Sequence, residues 1–124
     1  MTRFLVAMAL ILVTGCQLPG SAQGCGTVHI DWVDFIQIGS TQYVAGPGAS
    51  EALHENDLGA VVSHVKFKVD GNICDPNYRP KDGDAAFLDP GTPVYQVKGR
   101  PASEVVAARR SGQILSYRAV MPAG

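Results

Sequence analysis

The run Val61-Val62-Ser63-His64-Val65-Lys66-Phe67-Lys68-Val69 decides the fold class. Val61, Ser63, Val65, Phe67 and Val69 fall on one side of an extended chain, and Val62, His64, Lys66 and Lys68 fall on the other. A helix would scatter both sets around its axis, whereas a strand turns the first to a core and the second to water. Asp70-Gly71 follows as a turn dipeptide and ends the strand. Upstream, Gly46-Pro47-Gly48-Ala49 interrupts the chain, and Ser50 to Leu58 reads as one helical turn or a surface loop. Before that break, Thr41 to Ala45 is a short strand. It is preceded by Gly39-Ser40, and a glycine first in a two-residue loop fits a type II′ hairpin. The partner strand is Thr27 to Ile38, where Val28, Ile30 and Trp32 alternate with His29 and Asp31. The alternation slips at Val33-Asp34-Phe35, and a β-bulge there would restore it.

Downstream, Asn72 to Asp89 is dense in Asp, Asn, Pro and Gly. It predicts a long loop holding Cys74 midway, with Ala85 to Leu88 regaining extended structure. Pro90-Gly91-Thr92-Pro93 makes a turn, and Val94 to Lys98 a strand with Tyr95 and Val97 on one face. Residues 103–120 admit two readings. Ser103 to Arg110 could be a short helix capped by Gly112, or Val105 to Arg109 and Gln113 to Val120 could be strands joined around Arg110-Ser111-Gly112; the β-branched content favours the hairpin. With 14 Gly, 8 Pro and only 17% charged residues in 124, the chain suits many turns and short strands. The expectation is a mainly β domain over 25–124, a small antiparallel sandwich or barrel-like fold.

The first residues read differently. Arg3 and the apolar run Phe4 to Val13 have the charge and length of a signal peptide, and are too short for a bilayer-spanning helix of about 20 residues. The junction Val13-Thr14-Gly15-Cys16 resembles the lipobox of bacterial lipoproteins: a branched apolar residue, two small ones, then cysteine. That resemblance implies cleavage between Gly15 and Cys16, so that 1–15 is the signal peptide. It also implies fatty acylation, palmitate among the chains, at Cys16. Two or more chains anchor stably where one is marginal. An ordinary signal peptide cut after Ala22 is the alternative, and Cys25 after Ala22-Gln23-Gly24 makes a poorer lipobox. Residues 16–24, small, polar and containing Pro and Gly, read as a tether.

With Cys16 lipidated, Cys25 and Cys74 remain for a disulfide, and two free buried thiols are the alternative. No CxxC or zinc-type Cys/His spacing is present. A formal net charge of −1 without a basic stripe sets nucleic acid aside as a partner. Asp70, Asn72, Asp75, Asp82, Asp84 and Asp89 offer oxygen ligands, but no window has calcium-loop spacing, and turn chemistry accounts for them. His29, His54 and His64 accompany no recognisable nucleophile, and the carboxylate pairs Asp31/Asp34 and Glu51/Glu55 read as solvated surface. The sequence thus predicts no enzyme, cofactor or metal. Of the aromatics, Trp32 and Tyr43 near the first hairpin are candidates for an exposed binding patch, and core is the default role of the rest.

The run Asp82-Gly83-Asp84-Ala85-Ala86-Phe87-Leu88, with Gly91 to Gly99 after it, is similar to a pattern in small envelope proteins of Gram-positive bacteria, a resemblance that carries no activity. A lipobox followed by a small β domain with two cysteines also resembles the lipoprotein inhibitors of host lysozyme. Their Ser-Gly-x-x-Tyr loop is not matched, since Ser111-Gly112 is followed by tyrosine only at Tyr117. The expectation is a lipid-anchored envelope protein, on the cell membrane or an outer membrane, whose domain binds an envelope protein or ligand. Inhibition of a cell-wall or host hydrolase, and a hydrolase assembled only in three dimensions, are the alternatives.

Overall fold

A computed structural model describes Cys25, residues 29–46 and residues 53–120. The lipobox, the leader, the tether and Glu51 lie outside these described residues. The chain forms β1 (Asp34–Ile38), β2 (Thr41–Ala45), a 3-10 turn (Glu55–Asp57), β3 (Leu58–His64), β4 (Phe67–Lys68), β5 (Asp84–Ala85), β6 (Pro93–Val97), β7 (Val105–Arg110) and β8 (Gln113–Ala119). They make one sheet in the order β3-β6-β7-β8-β2-β1-β5-β4. No helix among the described residues is long and apolar enough to cross a membrane.

β3 and β4 stand at the two ends of that order, yet only Val65 and Lys66 separate them in the chain. So short a link spans at most about 11 Å, so the sheet must curl until its borders meet. Residues 58–70 act as one bent strand. Val65 N–H donates to the Thr92 carbonyl at 2.9 Å on the β6 side, and Val69 N–H to the Ala85 carbonyl at 2.8 Å on the β5 side. The outcome is the barrel-like form, mainly β, that the patterning predicted. All strand pairs are antiparallel except β4–β5, which is parallel because the bent strand arrives from the opposite border.

Three apolar clusters cover this sheet. The inner one joins Ile36, Tyr43, Val94, Val106, Ala108 and Tyr117. A second packs Phe35, Val69 and Ala86 with Trp32, Phe67 and Ile73, and a third packs Val97, Val105 and Ala107 with Leu53, Leu58 and Ile114. Strands covered on both sides lose their polar alternation, and Val105 to Ala108 are accordingly all buried. The same fact corrects the first strand. β1 begins only at Asp34, and its register with β2 runs unbroken from Asp34↔Ala45 to Ile38↔Thr41, so no bulge is present. Ile36 enters the inner cluster and Phe35 the second, and neither register nor face needs repair. The irregularities lie instead between β3 and β6, on either side of Val61. Val61 itself, expected in the core, is 46% exposed because β3 is a border strand.

Both hairpins form, and residues 103–120 adopt the paired reading rather than the helix, from Val105↔Arg118 to Arg110↔Gln113. Gly39 takes φ +57° and Ser40 no positive φ, as a type II′ loop requires. Gly83, at φ +91°, is needed for space as well: a Cβ there would stand 2.5 Å from the Lys66 side chain. The long loop after β4 returns as β5 at Asp84–Ala85, earlier than the predicted 85–88.

Candidate functional site

The chemistry of the described residues gathers where β7 ends. Adjacent strand residues point to opposite sides, so Arg109 and Arg110 meet different partners. Arg110 Nη1 donates to Asp34 Oδ2 at 2.7 Å, and its guanidinium lies 4.5 Å from the Phe87 ring centroid. The Tyr117 hydroxyl donates to the other oxygen, Asp34 Oδ1, at 3.1 Å. Arg109 Nη2 donates to Glu55 Oε2 at 2.6 Å and sits over the Tyr95 ring. Side-chain exposure is 12% for Asp34 against 38% for Arg110, so the carboxylate is the desolvated partner. Burial pushes the Asp34 carboxyl above the ordinary aspartate range, outweighing the Arg110 charge and the Tyr117 and Arg110 hydrogen bonds that pull it down. Burial, followed by the Asp34 charge, pushes the Tyr117 phenol up as well.

Two hollows flank this double arginine. The larger, about 770 Å³, is lined by Leu53, Glu55, Arg109, Gln113, Ile114 and Leu115. It lies between the 3-10 turn and β8, because Leu53 N–H donates to the Ile114 carbonyl at 3.2 Å and brings the two segments together. The smaller, about 320 Å³, is lined by Phe87, Asp89, Thr92, Arg109, Arg110 and Ser111. Ser111 and Gly112 have φ +52° and +78°, a type I′ loop, and Ser111 is the only non-glycine with positive φ among the described residues.

A second aspartate–tyrosine pair closes the long loop at β5, the strand beside β1. The Tyr78 hydroxyl donates to Asp84 Oδ2 at 2.6 Å and Lys81 N–H to the same atom at 2.8 Å. The hydrogen bond to Asp84 is the main reason the Tyr78 phenol is pushed up to about 12. Asp82 accepts from Gly39 N–H at 2.7 Å and from Lys66 Nζ at 3.0 Å, and these partners hold its carboxyl below the usual range. Cys25 and Cys74 are joined by a disulfide.

Of the residues singled out in the sequence, Asp34 centres the arginine cluster and His54 and Glu55 line the larger hollow, and the others lie elsewhere. Tyr43 is 5% exposed and its hydroxyl donates to the Ala102 carbonyl at 2.8 Å, so it is a core residue and not part of an exposed patch. Trp32 is half-buried against the second cluster. His29, His54 and His64 are exposed, and His29 pairs with the equally exposed Asp31 at 3.1 Å. His54 caps the 3-10 turn, its N–H donating to Asp57 Oδ2 at 2.8 Å. Among the described residues no three His, Cys, Asp or Glu side chains gather as metal ligands. The sequence reading missed the Asp34–Arg110–Tyr117 cluster, whose members are 76 and 83 residues from Asp34. Its one available signal was Asp34, a charged residue that an unbroken alternation from Val28 would turn inward and that the expected bulge was invoked to keep out.

No protein-family model, curated protein or solved structure matches this chain.

Proposed function

We propose that this is a lipid-anchored protein of the bacterial cell envelope whose β domain works by binding, and that the larger hollow beside Arg109 is its contact surface. The anchoring half of the reading is supported by Val13-Thr14-Gly15-Cys16. The binding half is carried by one observation: the hollow is open and part apolar, with Leu53, Ile114 and Leu115 beside an ion pair, Arg109–Glu55, that is already satisfied. Pockets that bind combine apolar lining with a few placed polar groups. A catalytic site needs a base or nucleophile poised by its neighbours, whereas here Arg109 and Glu55 are engaged with each other and the one histidine on the lining, His54, is exposed.

The anchor is tested by feeding cells an alkyne fatty acid. Wild type takes up label and Cys16→Ser takes up none; equal labelling, or an unlabelled wild type beginning at Gln23, ends the lipoprotein reading. The surface is tested with a photo-crosslinking amino acid at Gln113, on the hollow, and at exposed Asn77, in the long loop before β5. A discrete envelope adduct at Gln113 alone supports the assignment, and equal or absent adducts overturn it.

A further inference from the structure

We infer that the smaller hollow takes a carboxylate, with Arg110 as its fork and Ser111 as a second donor. This rests on the reading of this end of the domain as a binding surface, and it names the chemistry of the ligand. A guanidinium has five N–H donors in a fixed plane, and Arg110 spends one on Asp34. Stacking on Phe87 at 4.5 Å holds that plane in one orientation, so little freedom is lost when a second oxyanion meets its edge. Arg109 stands on the same wall with a single carboxylate partner. The Thr92 hydroxyl is committed to the Asp89 carbonyl at 2.7 Å. Ser111 Oγ has no partner among the described residues, and Ser111 is held with positive φ where asparagine or glycine is the ordinary occupant.

Charge decides between oxyanions. The two guanidiniums are balanced by Glu55 and Asp34, and Asp89 on the wall is balanced by Lys68 at 3.1 Å. A nearly neutral site with spare donors suits a planar monoanion, which a guanidinium edge matches bidentately, better than a tetrahedral dianion.

The test is an NMR titration of the ¹⁵N-labelled full chain in detergent micelles, at constant ionic strength, with acetate, inorganic phosphate and chloride. The probes are the Ser111, Gly112 and Thr92 amides and the arginine Nε–H groups. Acetate is expected to shift them saturably, phosphate to need about tenfold more, and chloride to give only linear drift. Arg110→Lys keeps the charge, loses the fork and raises the acetate requirement about tenfold. Ser111→Gly keeps the turn, loses the hydroxyl and raises it about threefold. Linear drift with all three salts, meaning an adventitious ion only, overturns the inference, as does saturation indifferent to both substitutions. Acetate silence with continued Gln113 crosslinking sinks the carboxylate alone, and silence in both sinks the binding surface with it.

Discussion

Two aspartate–tyrosine pairs start from neighbouring strands of one sheet, Asp34 on β1 and Asp84 on β5, and they are built by different rules. Asp84 accepts from Tyr78 and from the Lys81 backbone, groups six and three residues away, so it shapes its own loop. Asp34 accepts from Arg110 and Tyr117, across the sheet order, so it ties β1 to the β7–β8 hairpin. The loop is held by a covalent bond and by backbone donors, and the arginine cluster by side-chain charges beside two hollows. A carboxylate serving backbone donors is a fixture of the fold, whereas one serving a guanidinium is a place where charge can be rearranged.

The sharpest way to break the comparison is to remove the covalent member. Cys25→Ala with Cys74→Ala opens a link between residues 49 apart, which in the chain-entropy model costs about 4 kcal/mol. Denaturant unfolding should show that loss while the arginine cluster keeps its native Nε–H shifts. A perturbation that spread to Arg110 would mean that the loop and the arginine cluster are one cooperative unit.

Next in size is the charged pair. Arg110→Met leaves the more buried carboxylate without its cation, whereas Asp34→Asn leaves the more exposed cation without its anion. The first should therefore cost more, about 2 kcal/mol after discounting for solvent screening of Arg110, and the double variant should regain part of it. Equal single losses would show that burial does not govern this pair. The pH profile separates the two regions independently. Asp34 has a raised folded pKa, so its contribution is full below the ordinary value of 3.8 and is lost as pH climbs through the folded one. Asp82 has a lowered folded pKa, so its contribution is present above 3.8 and is lost as pH falls through the folded one. The stability of wild type relative to Asp34→Asn should decline as pH rises across the acid range, and relative to Asp82→Asn it should increase. Parallel slopes would refute the assignment.

The tyrosines give smaller effects. Tyr117→Phe and Tyr78→Phe each remove one hydroxyl bond to a carboxylate, about 1–2 kcal/mol. The fully buried Tyr117 should lie at the upper end and the half-buried Tyr78 at the lower.

What could be read in advance follows the same division. Period-two runs, turn dipeptides and the Cys25–Cys74 pairing depend on neighbours in sequence or on a count of cysteines, and β2, both hairpins and the disulfide were legible. The bend at Val65-Lys66 was not, because one continuous alternation from Val61 to Val69 holds no mark of two partners on opposite borders. Nor did Asp34 announce itself. Its inward direction was readable, but the expectation that an inward aspartate needs a register correction assumed that no cation could arrive from residue 110.

The smallest expected effect lies in the two hairpin loops, which use serine differently. At Gly39-Ser40 the glycine takes the positive φ and the serine takes none, so each residue suits its place. At Ser111-Gly112 both are positive, and serine occupies a position that asparagine fills at lower cost. Ser111→Asn should stabilise the fold by about 0.5 kcal/mol, and Ser40→Asn should have no such effect. Thermal unfolding of the two variants side by side reads the difference. If Ser111→Asn raises the midpoint yet weakens acetate binding, the serine is held there at a cost in stability for the sake of its hydroxyl. If it raises both, the loop is ordinary turn chemistry, and the smaller hollow depends on Arg110 alone.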